Sequence, residues 1–145
     1  MTIEEPRFLV DASLQRLGRW LRAAGYDSDF ASESDSEYYL LREALNRGRL
    51  LLTQNPALAE LRRAPGIVIL LEGESLDECA EELSAHVTID WEHNPFTRCT
   101  VCNTEFTSSD EETPFCASCK QIIWDGSYLN DMRQHLGKWH RKFTR

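Results

Sequence analysis

The sequence predicts an α/β fold built on a parallel sheet, and three observations carry that expectation. Short apolar runs and helical periodicities alternate about four times over roughly the first 85 residues, the rhythm of strands joined by crossover helices. The first run, Phe8-Leu9-Val10, ends in a carboxylate, Asp11, and feeds directly into a helix. Where the alternation stops, two Cys-x-x-Cys pairs follow, Cys99/Cys102 and Cys116/Cys119, and mark a second, smaller module.

In the first element, three consecutive apolar residues are too few for a helix and read as a buried strand. Leu14, Leu17, Leu21 and Ala24 then recur at three- and four-residue steps, the period of an amphipathic helix. Gly25 stops it, because a residue without Cβ takes the left-handed cap geometry cheaply. An acid between strand and helix stands at the carboxyl edge of the sheet, where open α/β folds bind ligands. The plainer role for Asp11 is a helix cap shared with Ser13.

Tyr26 to Phe30 reads as a short second strand, placed at an edge by Asp27 and Asp29. Ser34-Asp35-Ser36-Glu37 is a capping-box pattern. The helix it opens is expected to turn Tyr38, Leu41, Ala44 and Leu45 inward and to end at Gly48. Leu50 to Thr53 is a fully apolar strand of the kind parallel sheets bury on both faces. Asn55-Pro56 supplies an N-cap and a first-turn proline for a short helix to Leu61, and Ala64-Pro65-Gly66 makes a turn. Ile67 to Leu71 is the most strand-like segment of the chain. Ser75 to Glu78 repeats the capping box before a helix whose inner face is Leu76, Cys79, Ala80 and Leu83, with Cys79 as a small core residue. The rhythm breaks near His93-Asn94-Pro95, which divides the chain into an α/β domain at 1–93, a cysteine module at 94–127 and a basic amphipathic helix at 128–145.

A chain of 145 residues with 41% hydrophobic and 10% aromatic content can close a packed core. Its longest obvious apolar run, Ile67 to Leu71, is far short of a membrane span, and MTIEEPR lacks the apolar centre of a signal peptide. A soluble, cytoplasmic protein is therefore expected. The net charge of −8 is unevenly spread. Residues 1–93 hold nine Lys plus Arg against 18 Asp plus Glu, whereas Met132 to Arg145 hold five basic residues and no acid. A nucleic-acid contact, if present, belongs to that last segment and not to the body.

With no secretion signal, two Cys-x-x-Cys turns thirteen residues apart argue for a metal and against disulfides. Cys99, Cys102, Cys116 and Cys119 are expected to close a tetrahedral, structural Zn²⁺ site. Asn103, just after the first pair, suits a left-handed backbone position, and Thr107 to Pro114 reads as the connecting loop of a zinc ribbon. Trp124-Asp125-Gly126-Ser127 ends the ribbon and caps a last helix, along which Leu129, Met132, Leu136, Trp139 and Phe143 follow at helical spacing. That helix reads either as a docking helix or as an arm that meets RNA through Arg133, Lys138, Trp139, Arg141 and Lys142. His135 and His140 read as surface residues. Arg16, Arg19, Arg22, Arg47 and Arg49 read either as holders of phosphates near the site or, more simply, as cover for the solvent face.

FLVDASLQRLGRWLRAAGYD, Ser34-Asp35, GRLLLT at 48–53, FTRCTVCN at 96–103 and IIWDGS at 122–127 together resemble the Mut7-C RNase domain over nearly the whole chain. The resemblance implies a PIN-like three-layer nuclease fold followed by a zinc ribbon. It also implies Mg²⁺ or Mn²⁺ held by acids and hydrolysis of RNA phosphodiesters. Asp11 matches the first acid of that pattern and Asp35 the second. The third belongs to a Thr-x-Asp motif, which here is Thr53-Gln54-Asn55. A neutral amide thus replaces an anion, and Glu72 and Glu74, just after the Ile67–Leu71 strand, are the acids placed to compensate. The expectation is a metal-dependent ribonuclease weakened at Asn55. The alternatives are a catalytically reduced module that binds RNA or a ribonucleoprotein, and an adaptor for a protein partner.

Overall fold

Phe8, Leu9 and Val10 are all buried, so β1 (Phe8–Val10) has to lie inside the sheet with cover on both faces. In the computed structural model of the chain, the described residues are 5–106, 115–116, 119, 121–122 and 126–143. β1 pairs in parallel with β2 (Ser28–Phe30) on one side and with β3 (Leu50–Thr53) on the other. β4 (Val68–Leu70) completes a four-stranded parallel sheet of order β2-β1-β3-β4. The expected edge position of the Asp27/Asp29 strand holds. β4, the centre of the Ile67–Leu71 run, is also an edge, and its three residues are only partly buried because the strand has a single neighbour, whereas Leu71 just beyond it is fully buried.

Alternation along the central strands sorts the core into two layers. Phe8, Val10 and Leu52 join a large cluster with α1 (Gln15–Ala24), α4 (Leu76–His86) and α5 (Gly126–Phe143). Leu9 and Leu51 point the other way, onto Leu40 and Ala44 of α2 (Glu37–Arg47) and Leu58 of α3 (Pro56–Ala59). Helices therefore cover both faces, giving three layers. A 3-10 turn at Ala12–Leu14 connects β1 to α1.

Two glycines let α1 sit close to its neighbours. Gly25 adopts φ +103°, and a Cβ there would lie 2.5 Å from the Asn94 carbonyl oxygen. At Gly18 a Cβ would lie 2.4 Å from the Phe30 ring, so α1 rests directly on β2.

Several local expectations shift. Ser36, not Ser34, caps α2, accepting from the Tyr39 amide at 3.2 Å. The buried face of α2 is Leu40, Leu41 and Ala44, and Tyr38 is 74% exposed. Ser75 caps α4 as expected, and Asn55 caps α3, which ends at Ala59 and not Leu61.

α5 shares the body's large core. Leu129, Met132, Leu136 and Trp139 are buried in it, with Trp139 in edge contact with Trp91 at 4.8 Å and tilted against Trp20 at 5.2 Å. A short antiparallel pair, β5 (Phe115–Cys116) and β6 (Gln121–Ile122), is what is described of the ribbon's second half. The Thr107–Pro114 loop and Trp124-Asp125 lie outside the described residues. Among the described residues no helix is long and apolar enough to cross a membrane.

Candidate active site and metal centre

At the carboxyl edge of the sheet, Asp11 leaves β1 half-buried, its amide held by the Leu52 carbonyl at 2.9 Å. Asp11 Oδ2 accepts from the buried Thr53 hydroxyl at 2.7 Å and from Ser13 Oγ at 3.5 Å. Thr53 Oγ1 in turn accepts from the Asn55 backbone N–H at 3.0 Å. Asn55 Nδ2 donates to Glu37 Oε1 at 3.0 Å. A continuous chain of hydrogen bonds therefore runs Asp11–Thr53–Asn55–Glu37, joining the ends of β1 and β3 to the first residue of α2. Asn55 Oδ1 faces the other way and accepts from the Ala57 N–H at 3.1 Å, as an N-cap does.

The expected second acid makes a different contact. Asp35 belongs to the loop before α2, where its Oδ2 accepts from the Ser32 N–H at 3.0 Å. No described contact joins it to Asp11 or Asn55. Glu37, two residues later, is the carboxylate that meets Asn55, because the helix begins at Glu37 and that position starts its inner face. The signal was present: positions 37, 40, 41 and 44 share one helical stripe, and an acid stands at its head. Glu72 and Glu74 are exposed. Their backbone N–H groups bond to the carboxylates of Glu82 (2.9 Å) and Glu78 (2.8 Å) on α4. Between the start of α1 and the loop before α4 a cleft of about 160 Å³ is lined by Ser13, Arg16, Gln54, Gly73, Glu74 and Cys79.

The second centre is the cysteine cluster. The sulfurs of Cys99, Cys102, Cys116 and Cys119 all lie within 4.8 Å of one another. Cys99 and Cys119 are 3.8 Å apart and Cys102 and Cys116 3.6 Å apart. Thiolates about 2.3 Å from a tetrahedral Zn²⁺ would be separated by about 3.8 Å, so the donor set fits that ion. Amide N–H groups of Val101 and Cys119 point at Cys99 and Cys116 sulfur, each at 3.4 Å, as in a knuckle built for thiolates. Among the described residues this is the one group of three or more Cys, His, Asp or Glu close enough to share an ion. Cys79 stands apart, buried, with its thiol toward the Gly73 carbonyl at 3.5 Å.

The knuckle is bolted to the body by residues that sequence reasoning placed on the solvent face. Arg22 is 3% exposed; Nε donates to the Ser28 carbonyl at 2.7 Å, and one terminal nitrogen donates to the Thr100 and Val101 carbonyls at 2.9 and 3.1 Å. Burial lowers its pKa to about 10, and nearby Asp29 and the cysteines oppose the shift. Its guanidinium lies 3.6 Å from the centroid of the Phe30 ring. Asn103 takes the expected left-handed backbone (φ +70°). Its Oδ1 accepts from the Ser28 N–H at 3.1 Å and its Nδ2 donates to Asp27. Arg49, also buried, forks onto both Asp27 oxygens at 2.8 and 3.1 Å. Burial opposes ionisation of Asp27, but the hydrogen bonds from Arg49 and Asn103 outweigh it and hold the carboxyl below its ordinary range. Arg47 pairs with Asp29 at 2.7 Å.

Of the residues expected to meet RNA, Arg133, Lys138, Arg141 and Lys142 are exposed on α5. Trp139 is not. It is fully buried and donates its indole N–H to Asp77 at 2.7 Å, so no ring face is open to a base. His135 stacks on Trp20 at 4.4 Å and is part of the same packing, and His140 lies 3.3 Å from Asp90.

No curated protein and no solved structure matches the chain. One family does, and its match runs over residues 6–136, from the residues just before β1 through the cysteine cluster and most of α5. With the parallel sheet, the acid at the end of β1 and the four-thiol knuckle all inside that span, the chain belongs to the Mut7-C RNAse domain family.

Proposed function

We propose that this protein hydrolyses RNA phosphodiester bonds at the carboxyl edge of its sheet, with Asp11 and Glu37 as the acids. The observation that carries this reading is the hydrogen-bonded chain Asp11–Thr53–Asn55–Glu37, in a chain of this family. Each carboxylate keeps one oxygen, Asp11 Oδ1 and Glu37 Oε2, with no hydrogen bond among the described residues. Two such groups meet what Mg²⁺ usually takes from a protein, one or two carboxylates with water filling the rest. When bound, Mg²⁺ or Mn²⁺ supplies water activation and charge stabilisation at the phosphate. Thr53 holds Asp11 in place, and Asn55 fixes Glu37 while capping α3. Asp35 is a loop-closing residue in this reading. Zn²⁺ at the four cysteines is structural, since four thiolates leave no open position.

Arg133, Lys138, Arg141 and Lys142 are the cations placed to meet RNA phosphates, offsetting an acidic body. The specific observation favouring a catalytically reduced, RNA-binding module is Asn55. Its Oδ1 is engaged by Ala57 and its amide by Glu37, so it adds neither charge nor a free oxygen.

Cleavage of a labelled single-stranded RNA by the zinc-loaded protein, with and without Mn²⁺, separates the two. Hydrolysis is expected with Mn²⁺ and lost in Asp11→Asn and Glu37→Gln. RNA binding without cleavage, with cleavage restored by Asn55→Asp, would establish the reduced module instead.

A further inference from the structure

We propose that β4 is the docking edge for a second copy of this chain, paired antiparallel about Ile69 so that two sheets continue as one. Ile67 to Leu71 is unbroken aliphatic sequence, with neither the charge nor the proline that blunts an open sheet edge. Leu51 donates to the Ile67 carbonyl at 2.8 Å and Leu71 to the Thr53 carbonyl at 2.9 Å, so Ile67, Ile69 and Leu71 turn their backbone groups to β3. Val68 and Leu70 turn theirs outward, where no further strand lies among the described residues. The Val68 N–H folds back onto the Ala64 carbonyl at 2.9 Å. That leaves the Val68 carbonyl and both backbone groups of Leu70 without a partner among the described residues. The Leu70 side chain belongs to neither core cluster, although Val68 packs against one and Ile69 against the other.

Charge on either side of the strand selects the occupant and its direction. Arg62 and Arg63 precede it, exposed and without an ion pair among the described residues, and Glu72 and Glu74 follow it, also exposed. A reversed copy brings each basic end to the other copy's acidic end, whereas a parallel copy sets like charges together. Two copies of an acidic chain repel unless cations meet acids, and this arrangement supplies that at both ends of the contact. With the two-fold axis at Ile69, the Leu70 N–H of each copy donates to the Val68 carbonyl of the other. Leu70 then gains Val68 of the second copy as a neighbour on the same face. The opposite edge of the sheet is closed by the knuckle and α1, since Asn103 accepts from the Ser28 N–H at 3.1 Å and Arg22 donates to the Ser28 carbonyl at 2.7 Å. One open edge per chain stops assembly at two copies.

Nothing in this contact depends on the hydrolase reading. Sedimentation equilibrium of the zinc-loaded full chain over a concentration series is expected to show a reversible monomer–dimer equilibrium and no larger species. The Leu70 amide has no acceptor in the monomer and should gain protection from hydrogen exchange as the dimer fills. Leu70→Lys should weaken dimerisation by at least about tenfold, by placing a charge at the centre of the edge. Arg62→Glu with Arg63→Glu should weaken it by about tenfold, as should Glu72→Arg with Glu74→Arg. All four reversals in one chain should restore it. These four residues are exposed, so their variants keep the test decisive even where Leu70→Lys fails to fold. A monomer at every concentration would overturn the inference. So would a dimer in which the Leu70 amide stays unprotected, or one that a folded Leu70→Lys chain still forms at full strength. Failure of the fourfold reversal to recover association would overturn the antiparallel pairing.

Discussion

Asn55 turns its amide nitrogen onto Glu37 Oε1 at 3.0 Å and its oxygen onto the Ala57 N–H at 3.1 Å. One side chain thus ties the ends of two elements, the start of α2 and the start of α3, directly below the chain that leads to Asp11. The amide suits this position because it donates and accepts at once, which a carboxylate cannot do.

Asn55→Asp is expected to replace that donor with a second anion against Glu37. Without a divalent ion the like charges should lower the melting temperature and raise one carboxyl pKa of the pair. With Mn²⁺ the added charge should tighten binding by at least about tenfold, because the about 4 kcal/mol between two unit charges about 4 Å apart at an effective dielectric of 20 is only partly offset by repulsion from Glu37. Calorimetric Mn²⁺ titration and melting with and without the ion read both effects. A variant equally stable in both conditions would show that no ion binds there.

Glu37→Gln and Asp35→Asn should separate sharply. The first removes a carboxylate joined to the Asp11 chain and should lower RNA cleavage on the order of 100-fold, the scale of losing one charge-stabilising group. The second removes a loop bond to Ser32 and should cost about 1 kcal/mol of stability with activity nearly intact. Reversal of that order in cleavage assays would return the second acid to Asp35.

Removing the metal from the cysteines should loosen more than the knuckle. Arg22 is buried between Ser28 and the Thr100 and Val101 carbonyls, and Asn103 bonds the edge of β2. If the knuckle opens, a buried guanidinium loses acceptors and the sheet edge loses its cover. Hydrogen exchange after chelation should speed up at Ser28–Phe30 as well as at Cys99–Asn103. Unchanged protection in β2 would show that the two parts are independent.

Much of this architecture was legible in the sequence. Continuous apolar strands marked the buried β1 and β3, glycines marked the ends of α1 and α2, and the Cys-x-x-Cys spacing marked the four-cysteine cluster. What escaped were side chains whose role is set by distant partners. Arg22 and Arg49 share the helical and loop contexts of solvent-facing arginines, and only the fold reveals that a backbone carbonyl 78 residues away engages the first and Asp27 the second. Trp139 has the same period as a docking residue and as a stacking one. Its indole bond to Asp77 on α4 decides between them. Glu37 escaped because the expected inner face of α2, Tyr38, Leu41, Ala44 and Leu45, overlaps the buried one only at Leu41 and Ala44 and leaves Glu37 out.

Trp139→Ala should destabilise the whole chain by about 3–5 kcal/mol, the usual cost of deleting a buried aromatic. Trp139→Phe should cost less in volume but still leave Asp77 without its indole donor. Chemical denaturation monitored at several probes should show one transition shifted for both, since α5 is in the body's core.

Acid should weaken the fold through Asp27 before any loss of catalysis is considered. Its carboxyl is held below the ordinary range by Arg49 and Asn103, so its contribution is fully present above the unfolded-state value near about 3.9 and is lost as pH falls through the folded value. His135 adds in the same direction at higher pH. Burial lowers its pKa, with Lys138 and Arg16 reinforcing and Asp77 opposing, so the neutral ring is the folded form. Its contribution is complete above about 6.5 and declines as pH drops toward the folded value. Melting temperature should therefore fall in two stages from pH 7 to pH 3. His135→Gln should flatten the upper stage and Asp27→Asn the lower one. A single acid transition unaffected by either substitution would place the pH-sensitive contacts elsewhere.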